Sequence, residues 1–533
     1  MQTTAHACSD PGFSVDEIPF SYHGSWFGIS PVLAEHRRAD DLHLVSHQRG
    51  MHPVLRFVPT ANGHRAQTTI AATASRLAWT HGAGRVELVY ERADTLRVRG
   101  DGLGLRIAAA NPTLTPFSGP YLYRDPIDGA HVYTLYETGR RYRVTVVAGA
   151  LAATAGVEAL GQAERALQLP DHAPWEIAIE EYEAARAPYV AAATFAQIAA
   201  AAQASFAAFV DAIAPWRTET TPAAALAAYV LWSATVSPAG FVTRPGVLMS
   251  KHWMDKVWSW DHCFNALALA EGAPDLAWAQ FKLVFDHQDR AGALPDSIAH
   301  SEILYNFVKP PIHGWALRQL RERLPQPRDL VQLAEVYAQL ERWTEFWRSR
   351  RRVPGQALSH YQHGNDSGWD NATTFANDRV IETADLAAFL VMQTRELAEL
   401  ATLLGRLDDA ARWTATAHQI AEAMLAERLA AHLTPHGLAT ELPASEHYQA
   451  DGYWRGPIWA PSTILIEDGL RRAGFTELAG EISARFRRLC ERSGFAENFD
   501  ALSGAGLRDR AYTWTASAYL ILAAAFERRR AAP

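Results

Sequence analysis

The chain has 533 residues, 48% of them hydrophobic and 20% charged, and a formal net charge of -8. That length is too great for one ordinary core and calls for two or more domains, while the acidic balance offers no basic face to nucleic acid or to an anionic membrane. Three scattered cysteines, Cys8, Cys263 and Cys490, make neither a disulfide framework nor a zinc pattern, so no metal is expected.

Residues 1–185 read as a β-rich, sandwich-like domain. Segments 42–46, 53–58, 85–90, 96–98 and 142–147 are short and β-branched or alternating, with turns such as Asn62-Gly63 and Asp101-Gly102 between them. Before them, residues 1–13 lack the basic and apolar regions of a signal peptide. No run of about 18 uncharged apolar residues suggests a membrane span, and a cytoplasmic setting is expected. From about residue 190 the texture becomes alanine-rich and helical, starting with a helix over 195–213.

Residues 186–533 then read as αα-hairpins. Thr383 is placed to cap a helix carrying Leu386, Phe389, Leu390, Leu397 and Leu404 on one stripe, ended by Gly405. Asp408 opens the next helix, with Trp413, Ile420 and Met424 on its stripe. Ile464, Leu465 and Leu470 repeat the plan before Gly474, and a new helix follows from Thr476. Roughly eleven helices on this scheme suit either a closed (α/α)6 toroid or an open solenoid, and no fixed repeat period supports the solenoid.

Five segments break the alanine-rich pattern: 249–265 (MSKHWMDKVWSWDHCFN), 292–314 (GALPDSIAHSEILYNFVKPPIHG), 361–375 (YQHGNDSGWDNATTF), 453–461 (YWRGPIWAP) and 495–514 (FAENFDALSGAGLRDRAYTW). Packing alone does not ask for this mixture of aromatic, amide and carboxyl groups. It suits a neutral polyhydroxylated ligand, whose hydroxyls bond to carboxylates and amides and whose ring faces stack on tryptophan. Cleaving a glycosidic bond needs a proton donor and a second carboxylate across the sugar, and Asp370 and Glu497 stand on different segments.

These segments bear a family resemblance. Ser367-Gly368-Trp369-Asp370-Asn371 resembles the acid-bearing motif of trehalases and of glycoside hydrolase family 63. The segment from Phe495 to Asp500, followed by Gly504, is similar to the one that carries the family's base. Trp258-Ser259-Trp260-Asp261 resembles the segment that grips the nonreducing sugar. Lys309-Pro310-Pro311 and the block from Tyr453 to Trp459 are also similar to family motifs, and the five occur in the family's order over about residues 245 to 520.

The resemblance implies a mainly α chain whose (α/α)6 toroid is the catalytic domain. It implies an inverting, exo-acting hydrolase of an α-linked glucose or related hexose, with Asp370 as general acid and Glu497 as general base. Trp258, Trp260, Asp261, Lys309, Trp369, Tyr453, Trp454, Arg455 and Trp459 are then the candidate substrate contacts. No cofactor is called for, and the expected partner is a small α-linked oligosaccharide or glycoside. The chain departs from the compact mannosylglycerate and glucosylglycerate hydrolases of the family in its long β region. Hydrolysis of such glycerate glycosides or of trehalose is therefore the alternative, and Lys309 and Arg455 are the candidate partners of a glycerate carboxylate. A noncatalytic sugar-binding toroid is the alternative of another class.

Bland roles compete for several residues. Asp370 could cap a helix, and Asp366 suits a turn. Asp500 suits loop bracing, and His363-Gly364-Asn365 suits shaping of the turn beside the acid. Arg455 suits a carboxylate fork at the mouth. His252, His262, His300 and His313 have no recognised metal spacing and read as structural.

Overall fold

The computed structural model describes residues 10–326, 328–376, 379–423, 432–472 and 475–531. Cys8, Met424 and Gly474 lie outside the described residues. The N-terminal part is two antiparallel eight-stranded sheets. One places Phe20–Ser21, Phe27–Ala34, Arg37–Ser46, His52–Ala61, Gly104–Ala109, Ala166–Leu169 and Ala153–Ala155 side by side, with His64–Arg65 off the His52–Ala61 strand. The other runs Pro120–Arg124, His131–Leu135, Arg141–Ala148, Trp175–Tyr182, Thr95–Asp101, Gly84–Arg92, Leu77–His81 and Thr69–Ala72.

Alternation decides which faces meet. Leu44, Leu55, Phe57 and Ile107 of the first sheet and Leu88, Val98, Val144 and Ile177 of the second share one core. The second sheet's other face is also covered. There Arg143 is bound by Glu180 at 2.6 Å and Arg97 by Glu176, both arginines being buried. Asn62 and Gly63 have the positive φ of a tight turn, as their pairing suggested.

Eleven helices are described after this domain: α1 Phe195–Ile213, α2 Ala224–Ala234, α3 Asp261–Leu269, α4 Pro274–Lys282, α5 His313–Arg323, α6 Leu330–Arg350, α7 Ala384–Leu403, α8 Leu407–Ala423, α9 Ala460–Arg472, α10 Thr476–Ser493 and α11 Thr513–Ala531. Mainly α therefore describes only the C-terminal part of the chain. Among the described residues α1 alone is long and apolar enough to cross a membrane, but its apolar content is largely alanine. Phe195, Ile198 and Ala199 pack on Val89 of the β domain, and Phe206, Val210 and Ile213 enter the helical core.

The helices pair as hairpins, α3 with α4, α7 with α8 and α9 with α10. Thr383 stands at the start of α7 in extended conformation but makes no capping bond through its side chain. Leu386, Phe389, Leu390 and Leu397 are buried as their period requires, and so are Trp413 and Ile420 in α8. Helix α5 packs on α3 and α7, and the last helix, α11, returns against α2, α3 and α9.

Loop lengths then set where chemistry gathers. Each of the five aromatic segments runs into or leads up to the start of α3, α5, α7, α9 or α11, and shorter connections lead on to α4, α6, α8 and α10. The two domains are stitched together beside this end. Ser21 N–H donates to the Tyr229 hydroxyl of α2 at 3.1 Å, Gly24 N–H to the Thr235 carbonyl at 2.9 Å, and Trp26 Nε1 to the Ser237 carbonyl at 2.9 Å.

Candidate active site

The Ser-Gly-Trp-Asp turn is built by its neighbours. Asp366, buried, accepts from Val308 N–H at 3.1 Å, Gln362 N–H at 2.9 Å and Arg351 Nη1 at 2.8 Å, so it holds the turn, as its local sequence suggested. His363 Nδ1 accepts from Asn365 N–H at 3.0 Å, shaping the same turn. Gly368 has φ +70°, and a Cβ there would lie 2.4 Å from the Trp260 ring, so only glycine fits. The turn delivers Asp370, half-buried, next to Lys309 Nζ at 3.7 Å.

Lys309 is a shared cation. Its ammonium lies 3.3 Å from Asp296 Oδ1 and donates to the Asn365 carbonyl at 2.9 Å. Burial raises the Asp370 carboxyl above its ordinary range, Lys309 and the Tyr453 hydroxyl oppose this, and Asp296 adds to it. Asp261, at the start of α3, is pushed up to about 8 by burial, partly offset by Lys309 and reinforced by Asp370 and Asp296. It is buried, and its Oδ2 has no hydrogen-bond partner among the described residues. A buried oxygen of that kind is expensive to leave unmet and suits a ligand hydroxyl.

Glu497 is buried on the facing loop, between Phe495, bridged to Ala511, and strand Asn498–Phe499, paired with Gly506–Leu507. Burial pushes it up to about 8; Asp509 and Asp370 reinforce this, and Arg508 and Tyr453 oppose it. The Tyr453 hydroxyl interacts with both Asp370 and Glu497. The phenol is thus electrostatically coupled to both carboxyl groups that the motifs singled out. Tyr453 itself has φ +63°, an uncommon conformation for a residue with a side chain, and Arg508 stacks 4.7 Å over its ring with φ +62°.

The 453–461 block is pinned to both acid loops. Asn371 Oδ1 accepts from Trp454 N–H at 2.6 Å, and its Nδ2 donates to the Gly452 carbonyl at 2.6 Å. Ile458 and Phe499 exchange backbone hydrogen bonds of 2.7 and 3.0 Å. Arg455 makes no carboxylate fork among the described residues. Its Nε donates to the Asn371 carbonyl at 2.6 Å, because the chain turns its side chain back onto the acid loop.

The tryptophans form a wall. Trp369 stacks on Trp454 at 5.1 Å and Trp454 on Trp459 at 3.9 Å, with Trp260 edge-on to Trp514 at 5.6 Å. Trp260, Trp454 and Trp459 are buried against one another, whereas Trp258 and Trp369 are partly exposed. Asp500 braces its own loop, accepting from Leu502 N–H at 3.1 Å and the Tyr448 hydroxyl at 3.2 Å.

The sequence passed over Asp296, Asn371, Arg508 and Asp509. All four lie inside segments already marked as unusual, and Asn371 also closes the acid motif itself, so segment composition was the available signal. It also kept apart residues that fold together: the ligand atoms of His262, Cys263 and His313 lie within 4.8 Å of one another in the core. Burial lowers His262 to about 4 and His313 well below the ordinary imidazole value, and it raises the Cys263 thiol. His262 Nδ1 hydrogen-bonds the Trp258 carbonyl at 3.1 Å, and Phe281, Phe285 and Trp343 surround the pair of rings. No fourth ligand joins the three among the described residues, so the group reads as neutral rings in an aromatic core.

A loop-borne pair of carboxyls, Glu497 buried and Asp370 half-buried, walled by indoles on segments that lead into the helices, has the form of a glycosidase site. Residues 254–432 and 425–515 match the mannosylglycerate hydrolase MGH1-like glycoside hydrolase domain. A mannosylglycerate hydrolase of Rubrobacter radiotolerans is 24% identical in an alignment of 414 positions that covers 53% of this chain and 92% of the relative. The crystal structure of the family 63 mannosylglycerate hydrolase from Thermus thermophilus, in complex with glucose, has TM-score 0.50 at 20% identity over 56% of this chain and 99% of its own. A bacterial glucoamylase complexed with acarbose matches with TM-score 0.61 at 10% identity, covering 98% of this chain and 96% of its own, so the likeness of fold extends through the β domain. The chain is a family 63-like glycoside hydrolase.

Proposed function

We propose that the enzyme hydrolyses an α-linked hexoside from its nonreducing end with inversion, Asp370 acting as general acid and Glu497 as general base. The observation that supports this most is the 453–461 block pinned to both acid loops, by Trp454 N–H on Asn371 Oδ1 at 2.6 Å and by the Ile458–Phe499 pairing, with Lys309 3.7 Å from Asp370. Asp370 gives its proton to the glycosidic oxygen as the bond to the anomeric carbon breaks. Glu497 takes a proton from the water that attacks that carbon from the opposite face. Burial makes both groups hold protons above the usual carboxylate range, so the pair titrates as a unit and its apparent values belong to both. The productive form carries the proton on Asp370 and the charge on Glu497.

Asp370→Asn and Glu497→Gln test the roles. Each is expected to lower turnover by about 10²–10⁴-fold with the fold retained by circular dichroism. Near-normal hydrolysis by either variant would remove that residue from its role.

The names of the relatives favour a second reading in which the aglycone is glycerate. Lys309 is engaged by Asp296 and by the Asn365 carbonyl, and Arg455 by the Asn371 carbonyl. Arg508, over Tyr453 and paired with Asp451 at 3.0 Å, is the better-placed cation for that carboxylate. Rates on mannosylglycerate, glucosylglycerate, trehalose and p-nitrophenyl α-D-glucopyranoside separate the readings. A preference for the glycerate compounds that is lost in Arg508→Gln supports the second.

A further inference from the structure

Glu497 is held by a neighbour that no motif marked. Its backbone N–H donates to the Asp509 carbonyl at 2.7 Å. The Asp509 carboxylate is fully buried and is met on three sides: Ser250 Oγ donates at 2.8 Å, Ala511 N–H at 2.9 Å, and His252 Nδ1 lies at 3.3 Å. Ser250 and His252 belong to loop 250–255, whose other side grips the β domain. Lys251 Nζ donates to Ser21 Oγ at 3.0 Å and to the Ser25 carbonyl at 2.6 Å, and Asp255 Oδ2 meets His47 Nδ1 at 3.1 Å. All of these side chains are buried, so the links are shielded from water and screened little by salt.

We propose that Asp509 is a positioning residue for Glu497, and that the β domain fixes it there through loop 250–255. The proposal rests on Glu497 being the general base. A base must stand within hydrogen-bond reach of the attacking water, and a misplacement of about 1 Å costs up to about a hundred-fold in rate. The loop gives Asp509 a seat that the helical part alone does not supply, since Ser21, Ser25 and His47 are all β-domain residues.

The same contact has an electrostatic side. Burial would raise the Asp509 carboxyl, but His252, Ala511 N–H and Ser250 outweigh it and keep Asp509 an anion. That charge, with Asp370, lifts the proton affinity of Glu497 against Arg508 and Tyr453, while Tyr512 also faces it. The titratable groups facing His252 in turn are Asp509 and His47, and His47 itself faces Asp255 and Lys251.

The test uses the full chain. Asp509→Asn is expected to lower kcat about a hundred-fold with KM within a few-fold. Removing the anion lowers the proton affinity of Glu497, so the limb of the kcat/KM profile that Glu497 sets moves to lower pH. Difference infrared spectroscopy of the protonated carboxyl band, assigned with Glu497→Gln, reads the same midpoint without any substrate. An unchanged kcat together with an unchanged midpoint would overturn the proposal. Ser250→Ala keeps the Asp509 charge while loosening its seat. It is expected to lower kcat about five-fold with the limb in place, and wild-type kcat in this variant would equally overturn the proposal, which keeps the test decisive should Asp509→Asn fail to fold. Lys251→Met, folded by circular dichroism, lowers kcat about ten-fold if the β domain acts through the loop; full activity would show that the domain does not hold the base. An active Glu497→Gln enzyme would instead mean that the reading of the base has failed.

Discussion

The two acid loops differ in what faces them. Asp370 looks at a cation, Lys309, whereas Glu497 has an anion, Asp509, at its back. Both carboxyls are raised by burial, so desolvation alone does not separate them. The fixed charges distinguish the two sides, and they are supplied by segments remote in the chain. Lys309 comes from the segment ahead of α5. Asp509 comes from the segment ahead of α11 and is held by Ser250 and His252 of loop 250–255, whose Lys251 reaches the β domain.

Removing Lys309 breaks this contrast most forcibly. Lys309→Met leaves Asp296, Asp261 and Asp370 without their shared cation, and loss of one partner from a buried ionic set costs about 3–5 kcal/mol in denaturant titration. The sign at the active site follows from the charge. Lys309 lowers the proton affinity of Asp370, so its loss raises it, and the limb of kcat/KM that Asp370 sets moves to higher pH further than the limb that Glu497 sets. An equal movement of both limbs would show that Lys309 does not act on the Asp370 side in particular.

Gly368→Ala sharpens the comparison with a smaller effect. It disturbs only the Asp370 side, by forcing a Cβ into the Trp260 ring at a left-handed turn. A loss of about 1–3 kcal/mol in stability and a drop in kcat are expected, with the Glu497 infrared midpoint unmoved. An alanine variant of wild-type stability would show that the turn adapts more freely than its geometry allows.

The fold was legible where one physical signal dominated. The helix over 195–213 and the stripes of α7 and α8 are local facts of sequence. The acid turn was legible too, since Gly368, Asp366 and His363 act within a few residues of Asp370. What escaped was long-range. Nothing near Asp509 in the chain says that Ser250 and His252 meet it, or that Lys251 meets Ser21. For the same reason His262 and His313 looked unrelated although their rings lie 5.4 Å apart. The tryptophans illustrate a further gap. Composition marked them as platforms, while the fold stacks Trp454 and Trp459 on each other and leaves Trp258 and Trp369 partly open.

Catalysis on this scheme turns on a proton leaving Asp370 on one side of the sugar while Glu497 activates water on the other. Proton NMR during turnover of an α-glycoside reads this directly. The β-anomer of the released sugar is predicted to appear first and then mutarotate. The α-anomer as first product would mean that Glu497 attacks the sugar itself or stands elsewhere, and would contradict the assignment of acid and base.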